Sequence, residues 1–377
     1  MSDVDAPTQP GAEQSWRQLL VAVGAPWLVA RMLVFAGYVV ARAVDHHALT
    51  SRPYALRQGL LAWDGGFYES IAAHGYRGSP HEALRFFPLY PLLGRMLWPF
   101  SSYGVGAALV LLANVLALAA GVLLYQLVLA EKRDPTMAAR AVWLLMLVPP
   151  AFSFVFGYSE SLFVVLTLVV FLGMRRGNWW LAAAAALLAG ATRPVGVLLV
   201  VPVVVEIVRQ RRAIEGTGWL GAMASLAAPA VGSVAYLTYV NDLTGEALAP
   251  YRIQSDLRGG WVDPVTRLFR GFGDLVGKER FGDGLHVPFV LVALVLVVLT
   301  FRYWPAAYGA YASVAVVVAL SASNLNSFER YAFAAFPLVL TLAVVARPGW
   351  REQAVLAICG GGLVALTALA LLGAYVP

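Results

Sequence analysis

Residues 104–130 read GVGAALVLLANVLALAAGVLLYQLVLA, a stretch of sequence without a single charged side chain. An α-helix needs about 20 apolar residues to cross the hydrocarbon core of a bilayer, so this stretch predicts a transmembrane helix. Hydrophobic residues make up 60% of the 377 residues and charged residues 13%, against about 25% charged residues in soluble domains. A chain of this composition cannot bury its apolar surface in one water-soluble core, which excludes a large soluble α/β enzyme.

Ten other apolar segments accompany this one. We predict an all-α polytopic membrane protein with about 11 transmembrane helices, in which the segments around Pro149-Pro150 and around Arg193-Pro194 form either two short spans or one broken helix. Residues 1–377 are predicted to form a single integral membrane domain. The predicted spans are residues 18–42, 104–130, 138–155, 160–174, 179–192, 194–208, 218–240, 286–301, 305–322, 331–346 and 353–375.

The basic residues of the short loops predict the orientation, because cytoplasmic loops carry an excess of Lys and Arg. With these span boundaries every second loop is basic, which places the N-terminus in the cytoplasm and Pro377 outside. Two long loops, 43–103 and 241–285, then lie on the extracytoplasmic side and are predicted to contain interfacial helices. The scarcity of lysine relative to arginine favours a bacterial plasma membrane. The net charge of +6 fits loops that face anionic lipid, and no nucleic acid partner is expected.

The first long loop contains a carboxylate among aromatic residues and glycines, in the order Ala62-Trp63-Asp64-Gly65-Gly66-Phe67-Tyr68-Glu69. Glycines let a backbone or a ligand approach closely. Aromatic rings with a polar edge suit the headgroup level of a membrane, and their flat faces also suit sugar rings. We predict that Asp64 is a catalytic base. The alternative is that Asp64 caps a helix in an interfacial segment, which explains the aromatic residues but not the Phe86-Phe87-Pro88-Leu89-Tyr90-Pro91 that follows.

Three strings of this loop, Trp63 to Tyr68, His74-Gly75-Tyr76 and Phe86 to Pro91, together resemble the PIG-V family. These proteins are mannosyltransferases of the glycosylphosphatidylinositol pathway, with bacterial relatives. The resemblance implies the GT-C fold class, a lipid-phosphate sugar donor, inversion of configuration and an acidic residue in the first outer loop. Phe67 stands where family members often have Trp, a departure that should leave the chemistry intact. Three shorter strings also fit: Gly157-Tyr158-Ser159-Glu160-Ser161, Thr192-Arg193-Pro194-Val195-Gly196, and Glu329-Arg330-Tyr331 followed by Phe336-Pro337.

The other candidate site residues also lie on the predicted outer side. Arg193 and Arg330 stand at outer helix ends, where they are predicted to bind the donor phosphate and to stabilise the charge that grows on it. The alternative is that both arginines snorkel to lipid headgroups. Arg77 and Arg85 of the first loop are further candidates for phosphate binding. The predicted substrate-binding residues come from the same strings: Trp63, Tyr68, Glu69, His74, Tyr90, Tyr158, Glu160, Glu329 and Tyr331.

Several of these residues allow two interpretations. Glu160 begins a predicted helix, so it is either a favourable N-terminal carboxylate or a second carboxylate that orients the acceptor. Arg31 lies midway along the first span, where we expect a structural bond to a backbone carbonyl or an acidic partner. Loop 241–285 is either a solvated loop or a platform for an acceptor or a headgroup. The histidines lack the paired spacing of metal ligands, so neither a metal nor a cofactor is expected.

The sequence therefore predicts an inverting glycosyltransferase that moves a mannosyl-type sugar from a polyprenyl-phosphate donor to an extracytoplasmic acceptor. Nucleotide sugars are not expected outside the cytoplasm, so the donor must be carried in the lipid. The expected partners are this donor, membrane lipids, and a glycan, lipid or protein acceptor. Two other classes stay open: a transporter or lipid flippase, which would need polar residues deep within the spans, and a non-catalytic subunit of a glycosylation complex.

Overall fold

The computed structural model describes residues 12–48, 53–277, 279 and 282–376. The predicted positions of the N-terminal end and of Pro377 lie outside these residues. Within them the regular structure is entirely helical, with no β-strand. The α-helices are α1 (Ala12–Ala48), α2 (Tyr54–Gln58), α3 (Asp64–His74), α4 (Leu89–Leu97), α5 (Val105–Lys132), α6 (Pro135–Leu147), α7 (Glu160–Arg175), α8 (Trp179–Gly190), α9 (Val200–Gln210), α10 (Gly218–Thr244), α11 (Ala249–Leu257), α12 (Pro264–Val276), α13 (Val287–Tyr303), α14 (Ala306–Leu320), α15 (Phe328–Phe333), α16 (Pro337–Val345) and α17 (Trp350–Leu372).

Each predicted span coincides with one helix or with a pair of consecutive helical segments. Five helical stretches in the described residues are long and apolar enough to cross a membrane: Arg17–His46, Val105–Lys132, Gly218–Thr244, Asp283–Tyr303 and Trp350–Leu372. Three shorter apolar helices, Pro135–Leu147, Trp179–Gly190 and Ala306–Leu320, accompany them. The all-helical membrane architecture is thereby confirmed, whereas the count of 11 spans stays a prediction.

Prolines decide where the short helices end. Helix α6 stops at Leu147, and Pro149 opens a short 3₁₀ helix, Pro149–Phe154, before α7 begins. Pro194 likewise opens the 3₁₀ helix Pro194–Leu199, which continues into α9. Proline is tolerated in the first turn of a helix, where its missing N–H has no partner to lose. These breaks leave non-helical backbone at the ends of α7 and α8, where the residues of the candidate site are found.

Small residues allow the helices to pack closely, as is common in membrane proteins. A Cβ on Gly190 of α8 would lie 2.1 Å from the carbonyl oxygen of Pro229, and a Cβ on Gly232 of α10 would lie 2.0 Å from that of Leu187. The Ser233 hydroxyl donates a hydrogen bond of 3.1 Å to the Gly190 carbonyl. Glycine is therefore required at both positions for α8 and α10 to approach this closely.

Arg31 of α1 makes structural contacts inside the bundle. Its guanidinium donates to the Asn114 side chain at 2.8 Å, to the Trp27 carbonyl at 3.1 Å and to the Phe154 carbonyl at 3.1 Å. The Asn114 amide in turn donates to the Val155 carbonyl at 2.9 Å. This network joins α1, α5 and the 3₁₀ helix after α6, which agrees with the expectation of backbone-carbonyl partners for Arg31.

Both long loops contain helices. Residues 43–103 contain α2, α3 and α4, and residues 241–285 contain α11 and α12; residues 49–52, 278, 280 and 281 lie outside the described part. Helix α12 exposes Val265, Phe269 and Val276, whereas its Arg267 is only 1% exposed and forms salt bridges with Asp274 and Asp283. An amphipathic helix of this kind suits the surface of a membrane. The position of these helices relative to a bilayer stays a prediction.

Candidate active site

Asp64 is the first residue of α3, and the backbone that leads to it is fixed from several sides. The Gly157 N–H donates to the Leu60 carbonyl at 2.9 Å, and the Tyr158 hydroxyl donates to the Ala62 carbonyl at 3.1 Å. Trp63 has a φ angle of 59°, which is unusual for a bulky side chain. No hydrogen bond from the Asp64 side chain caps α3. Asp64 therefore does not serve as a helix cap, and its carboxylate points into the interior of the site.

Two carboxylates and three arginines, from five separate segments, form a buried ionic cluster. The Asp64 carboxylate lies 2.5 Å from Arg330 and 3.6 Å from Arg85. The Glu160 carboxylate lies 2.5 Å from Arg193 and 3.2 Å from the same nitrogen of Arg330. The Glu160 and Arg330 side chains are each 2% exposed, and that of Asp64 is 13% exposed. Residues that are up to 266 positions apart in the sequence thus meet at one place.

Glu160 holds the two arginines in place. It begins α7 directly after Ser159, and its carboxylate is clamped between Arg193 and Arg330. It lines neither of the two large cavities beside Asp64. The geometry is that of a positioning carboxylate for the arginines, and it does not favour a direct contact with an acceptor.

The charges of the cluster shift its pKa values. Burial raises the pKa of the Asp64 carboxyl, but the positive charges of Arg330, Arg85 and Arg193 outweigh this effect and leave the pKa below its ordinary value. For Arg193, burial lowers the pKa, and the nearby Glu160 carboxylate reverses this so that the net shift is upward. At neutral pH Asp64 is therefore an ionised carboxylate that can accept a proton.

A fourth arginine, Arg258, approaches the cluster from the loop that follows α11. Its guanidinium donates to the carbonyl oxygens of Ala319, Asn324 and Asn326 at 3.2–3.4 Å, and burial lowers its pKa. Three guanidiniums, those of Arg193, Arg258 and Arg330, surround the ring of Tyr331 at 5.3 to 5.4 Å. Cation–π attraction of this kind adds to the stabilisation of all three arginines.

Two cavities meet at Asp64. The first, which we call the apolar cavity, has a volume of about 270 Å³, and Arg193 and Tyr68 lie in its wall together with Asp64. Much of its lining is apolar: Phe86, Phe163, Val195, Val197, Leu198, Ala315 and Val318. The second, which we call the polar cavity, has a volume of about 290 Å³ and is lined by groups that include Asn324, Asn326, Ser327 and Arg330. Asp64, Arg85, Gln254, Arg258 and Tyr331 line both cavities.

Three residues predicted to bind substrate line neither cavity. Tyr90 is fully buried and donates its hydroxyl hydrogen to the Leu109 carbonyl at 2.8 Å. Tyr158 is fully buried against Ala62, with Arg330 over its ring at 5.1 Å. Glu329 is fully buried and pairs with His286 at 2.8 Å. These side chains pack behind the site, and substrate contact for them stays a prediction that this geometry does not favour.

Of four further predicted residues of the first loop, only Trp63 lines one of the two cavities. Arg77 and His74 are exposed and line neither cavity, so site contacts for them stay a prediction that this geometry does not favour. Glu69 turns to the opposite face of α3 from Asp64 and lines a different cavity. Trp63 lines the polar cavity and also the cavity beside Glu69, while its indole N–H donates to the Ala370 carbonyl at 2.8 Å.

Sequence reasoning missed Arg258, Gln254 and the buried His286. The Arg85 guanidinium donates to the Gln254 side chain at 3.2 Å, which ties the first long loop to the second. The sequence signal for Arg258 is the pair Gly259-Gly260 that follows it, because adjacent glycines indicate a turn. Both glycines adopt positive φ angles, of 73° and 86°, which glycine allows without strain. Among the described residues no group of three or more His, Cys, Asp or Glu side chains is arranged to hold a metal ion.

The fold is similar to that of a solved glycosyltransferase. ArnT from Cupriavidus metallidurans bound to undecaprenyl phosphate superposes with a TM-score of 0.50 at 16% sequence identity, covering 89% of this chain and 62% of that one. The oligosaccharyltransferase AglB from Archaeoglobus fulgidus, in complex with an inhibitory peptide and a dolichol-phosphate, gives a TM-score of 0.45 at 11% identity, covering 92% of this chain and 56% of that one. This chain therefore spans less than two thirds of either neighbour. The fold class is that of the GT-C glycosyltransferases.

The sequence comparison is more specific about the family. Residues 46–210 match the family described as mannosyltransferase (PIG-V), which confirms the resemblance stated from the motifs of the first long loop. The matched region contains Asp64, Arg85, Glu160 and Arg193, four of the charged residues at the site. No curated protein matches the chain. In fold and in part of its sequence, the chain is thus similar to glycosyltransferases.

Proposed function

We propose that the protein is an inverting, mannosyl-type glycosyltransferase whose sugar donor is a polyprenyl phosphate and whose general base is Asp64. One observation carries the proposal. The four arginines Arg85, Arg193, Arg258 and Arg330 meet at this point, and among the described residues only two carboxylates, Asp64 and Glu160, form salt bridges with them. Burying incompletely paired charge is costly, so the excess of arginine fits a ligand that supplies negative charge.

A lipid phosphate supplies this charge at the right stage of the reaction. A polyprenyl-phosphate sugar is a phosphodiester with one negative charge, and the polyprenyl phosphate that leaves is a monoester with a charge of about −1.5 to −2 at pH 7. Positive charge that matches the leaving group better than the bound donor stabilises the transition state selectively. The apolar wall of the neighbouring cavity, formed by Val195, Val197 and Leu198, suits the first isoprene units of the same molecule.

The reaction proceeds by direct displacement. The acceptor hydroxyl oxygen attacks the anomeric carbon from the polar cavity, while the bond between that carbon and the phosphate oxygen breaks on the side of the apolar cavity. The electron pair of the broken bond stays on the phosphate, next to Arg193 and Arg85. The hydroxyl proton passes to the Asp64 carboxylate, which later releases it to water. Arg330, placed between Asp64 and Glu160, keeps the base oriented through the cycle.

The setting of the reaction follows from the same proposal. The chain is a single integral membrane domain with about 11 spans, a cytoplasmic N-terminus and an extracytoplasmic site in a bacterial plasma membrane. Loops 43–103 and 241–285 contribute Asp64, Arg85 and Arg258 to that site. The acceptor is an extracytoplasmic glycan, lipid or protein that enters through the polar cavity. Neither a metal nor a cofactor takes part, because arginines supply the positive charge at the phosphate.

The direct test is a transfer assay with the purified full chain in detergent or nanodiscs. Radiolabelled polyprenyl-phosphate mannose is offered with membrane glycan acceptors, and GDP-mannose is offered in a parallel reaction. We expect labelled product, or slow hydrolysis of the donor without acceptor, from the lipid donor only. Transfer from GDP-mannose would refute a lipid-borne donor, and the absence of both transfer and hydrolysis with every acceptor would refute the enzymatic function.

Two arginines of the first long loop provide a matched pair for the phosphate assignment. Arg85 lies beside Asp64 in both cavities, whereas Arg77 is exposed and lines neither. Arg85→Ala should raise the KM for the donor about tenfold or more, the scale of one lost charge-assisted hydrogen bond of about 1.5–3 kcal/mol. Arg77→Ala should leave donor kinetics unchanged. Equal effects of the two substitutions would show that Arg85 acts only through the overall charge of the loop.

A further inference from the structure

Two faces of helix α3 line different cavities. Asp64, Phe67 and Tyr68, at positions i, i+3 and i+4, line the two cavities that meet at the ionic cluster. Gly66, Glu69 and Ser70, which repeat this spacing two residues later, line a third cavity of about 550 Å³. Residues three and four apart share one face of a helix, so both patterns follow from the helical repeat. The volume lies within the range of about 300–1,000 Å³ that is typical of small-molecule sites.

The third cavity combines aromatic rings with uncharged polar groups and one carboxylate. Its lining includes Tyr54, Gln58, Trp63, Phe67, Glu69 and Ser70, and none of the described residues that line it is Arg or Lys. No hydrogen bond or ion pair within the described part of the chain holds the Glu69 carboxylate. This carboxylate lies against Gly106 of α5, where a Cβ would come within 2.4 Å of its Oε1. Such a lining can stack against the flat faces of sugar rings and accept hydrogen bonds from their hydroxyl groups.

Trp63 and Phe67 connect this cavity to the reaction centre, because both residues line the polar cavity as well. Trp63 keeps a backbone conformation, φ 59° and ψ −117°, that costs on the order of 1–3 kcal/mol for a residue other than glycine. Its indole is fixed by the hydrogen bond to the Ala370 carbonyl. A chain of sugars with its reacting end at Asp64 would therefore pass the Trp63 and Phe67 side chains and continue into the third cavity.

We propose that the third cavity is a saccharide-binding subsite, which holds the acceptor sugar unit next to the one that is glycosylated. The inference rests on the proposed transferase function for its acceptor but concerns a separate set of side chains. Glu69 and Gln58 bind hydroxyl groups of that unit, and Tyr54 and Trp63 provide stacking faces. The subsite makes the protein selective for an acceptor of at least two sugars and leaves the chemistry at Asp64 unchanged.

Binding is tested first, without reference to catalysis. The full chain in phosphatidylcholine nanodiscs is titrated by calorimetry with a mannotetraose, for the unaltered protein, Glu69→Ala and the control Glu82→Ala, in which an exposed carboxylate of the same loop is removed. We expect Glu69→Ala to weaken binding about tenfold, which corresponds to about 1.4 kcal/mol, and Glu82→Ala to have no effect. Absence of binding, or equal binding by Glu69→Ala, would overturn the subsite. Loss of binding in nanodiscs that contain phosphatidylethanolamine would instead assign the cavity to an amine headgroup.

Transfer kinetics then separate this inference from the proposed function. With the lipid donor, the unaltered protein should show a KM for mannotetraose at least about tenfold below that for methyl mannoside, and Glu69→Ala or Gln58→Ala should remove this advantage. Transfer to methyl mannoside and the slow hydrolysis of donor should stay unchanged in both variants. Transfer without any preference for the longer acceptor would overturn the subsite but would not contradict the transferase function. A protein that binds mannotetraose but neither transfers nor hydrolyses the donor would overturn the transferase instead.

Discussion

Replacement of Asp64 by asparagine is the most informative single perturbation. Asn keeps the size of the side chain and can still accept a hydrogen bond from Arg330, which lies 2.5 Å from the carboxylate. It cannot take a proton from the acceptor hydroxyl. General base catalysis is worth about 10²–10⁴ in rate, so kcat should fall by that factor, equivalent to about 3–5 kcal/mol of activation free energy.

The same substitution should affect donor binding in the opposite direction. Loss of one negative charge increases the excess of arginines over carboxylates in the cluster, so the KM for the lipid donor should stay unchanged or decrease. The assay is steady-state transfer with both substrates varied, together with a thermal scan that verifies folding. Asp256→Asn, an exposed position on α11, is the control and should behave like the unaltered protein. If Asp64→Asn kept more than about a tenth of kcat, or raised the donor KM more than it lowered kcat, the assignment of the base would be wrong.

Three further outcomes are expected. Glu160→Gln removes a buried counter-charge and should lower the free energy of unfolding by about 3–5 kcal/mol in thermal or denaturant unfolding. The control Glu246→Gln, from an exposed pair with Arg252, should change the free energy of unfolding by less than about 1 kcal/mol. Similar values for both variants would contradict the buried cluster. The pKa of Asp64 is lowered in the folded state, so the stabilising contribution of its carboxylate is present above its unfolded pKa and is lost as the pH falls through the folded value. Because Asp64 stays ionised at higher pH, kcat should show no inflection from Asp64 between about pH 5 and 8. An inflection in that range that Asp64→Asn abolishes would contradict this. Gly232→Ala places a methyl group against the Leu187 carbonyl of α8 and should lower the Tm, while Gly24→Ala, which meets no atom within 4 Å, should not; equal Tm values would show that α8 and α10 do not pack this closely.

The helical architecture could be predicted from the sequence because its signal is local. A membrane-length apolar run fixes a helix without reference to the rest of the chain, and α5, predicted as residues 104–130, occupies Val105–Lys132. The boundaries of helices inside segments that prolines interrupt were harder to predict. The run predicted as residues 331–346 divides into α15 and α16 before Pro337, because a proline opens a new helix more readily than it continues one.

The candidate site was only partly predictable, since its geometry depends on contacts between distant segments. Chemistry and predicted sidedness were enough to select Asp64, Arg193 and Arg330. They could not separate Arg85 from Arg77, because both are arginines of the same loop and only the packing of that loop turns Arg85 inward. Nor could they show that Glu329 faces His286, 43 positions away, and not the cavities. A side chain's direction in a loop is decided by tertiary packing, for which a single sequence has no local pattern.

The ionic cluster also bears on the rival classes of function. A purely structural network would be expected to give each buried arginine a carboxylate partner, as Arg267 has in Asp274 and Asp283, because uncompensated buried charge costs stability. A transport pathway would need polar groups at successive depths, yet Arg31 inside the bundle is bonded to an amide and to backbone carbonyls. The excess of arginine around Tyr331 is instead concentrated at one point, where two cavities and a single carboxylate meet. Incompletely paired positive charge lowers the stability of the fold until an anion binds and compensates it. This is the arrangement expected of a site for a phosphate leaving group.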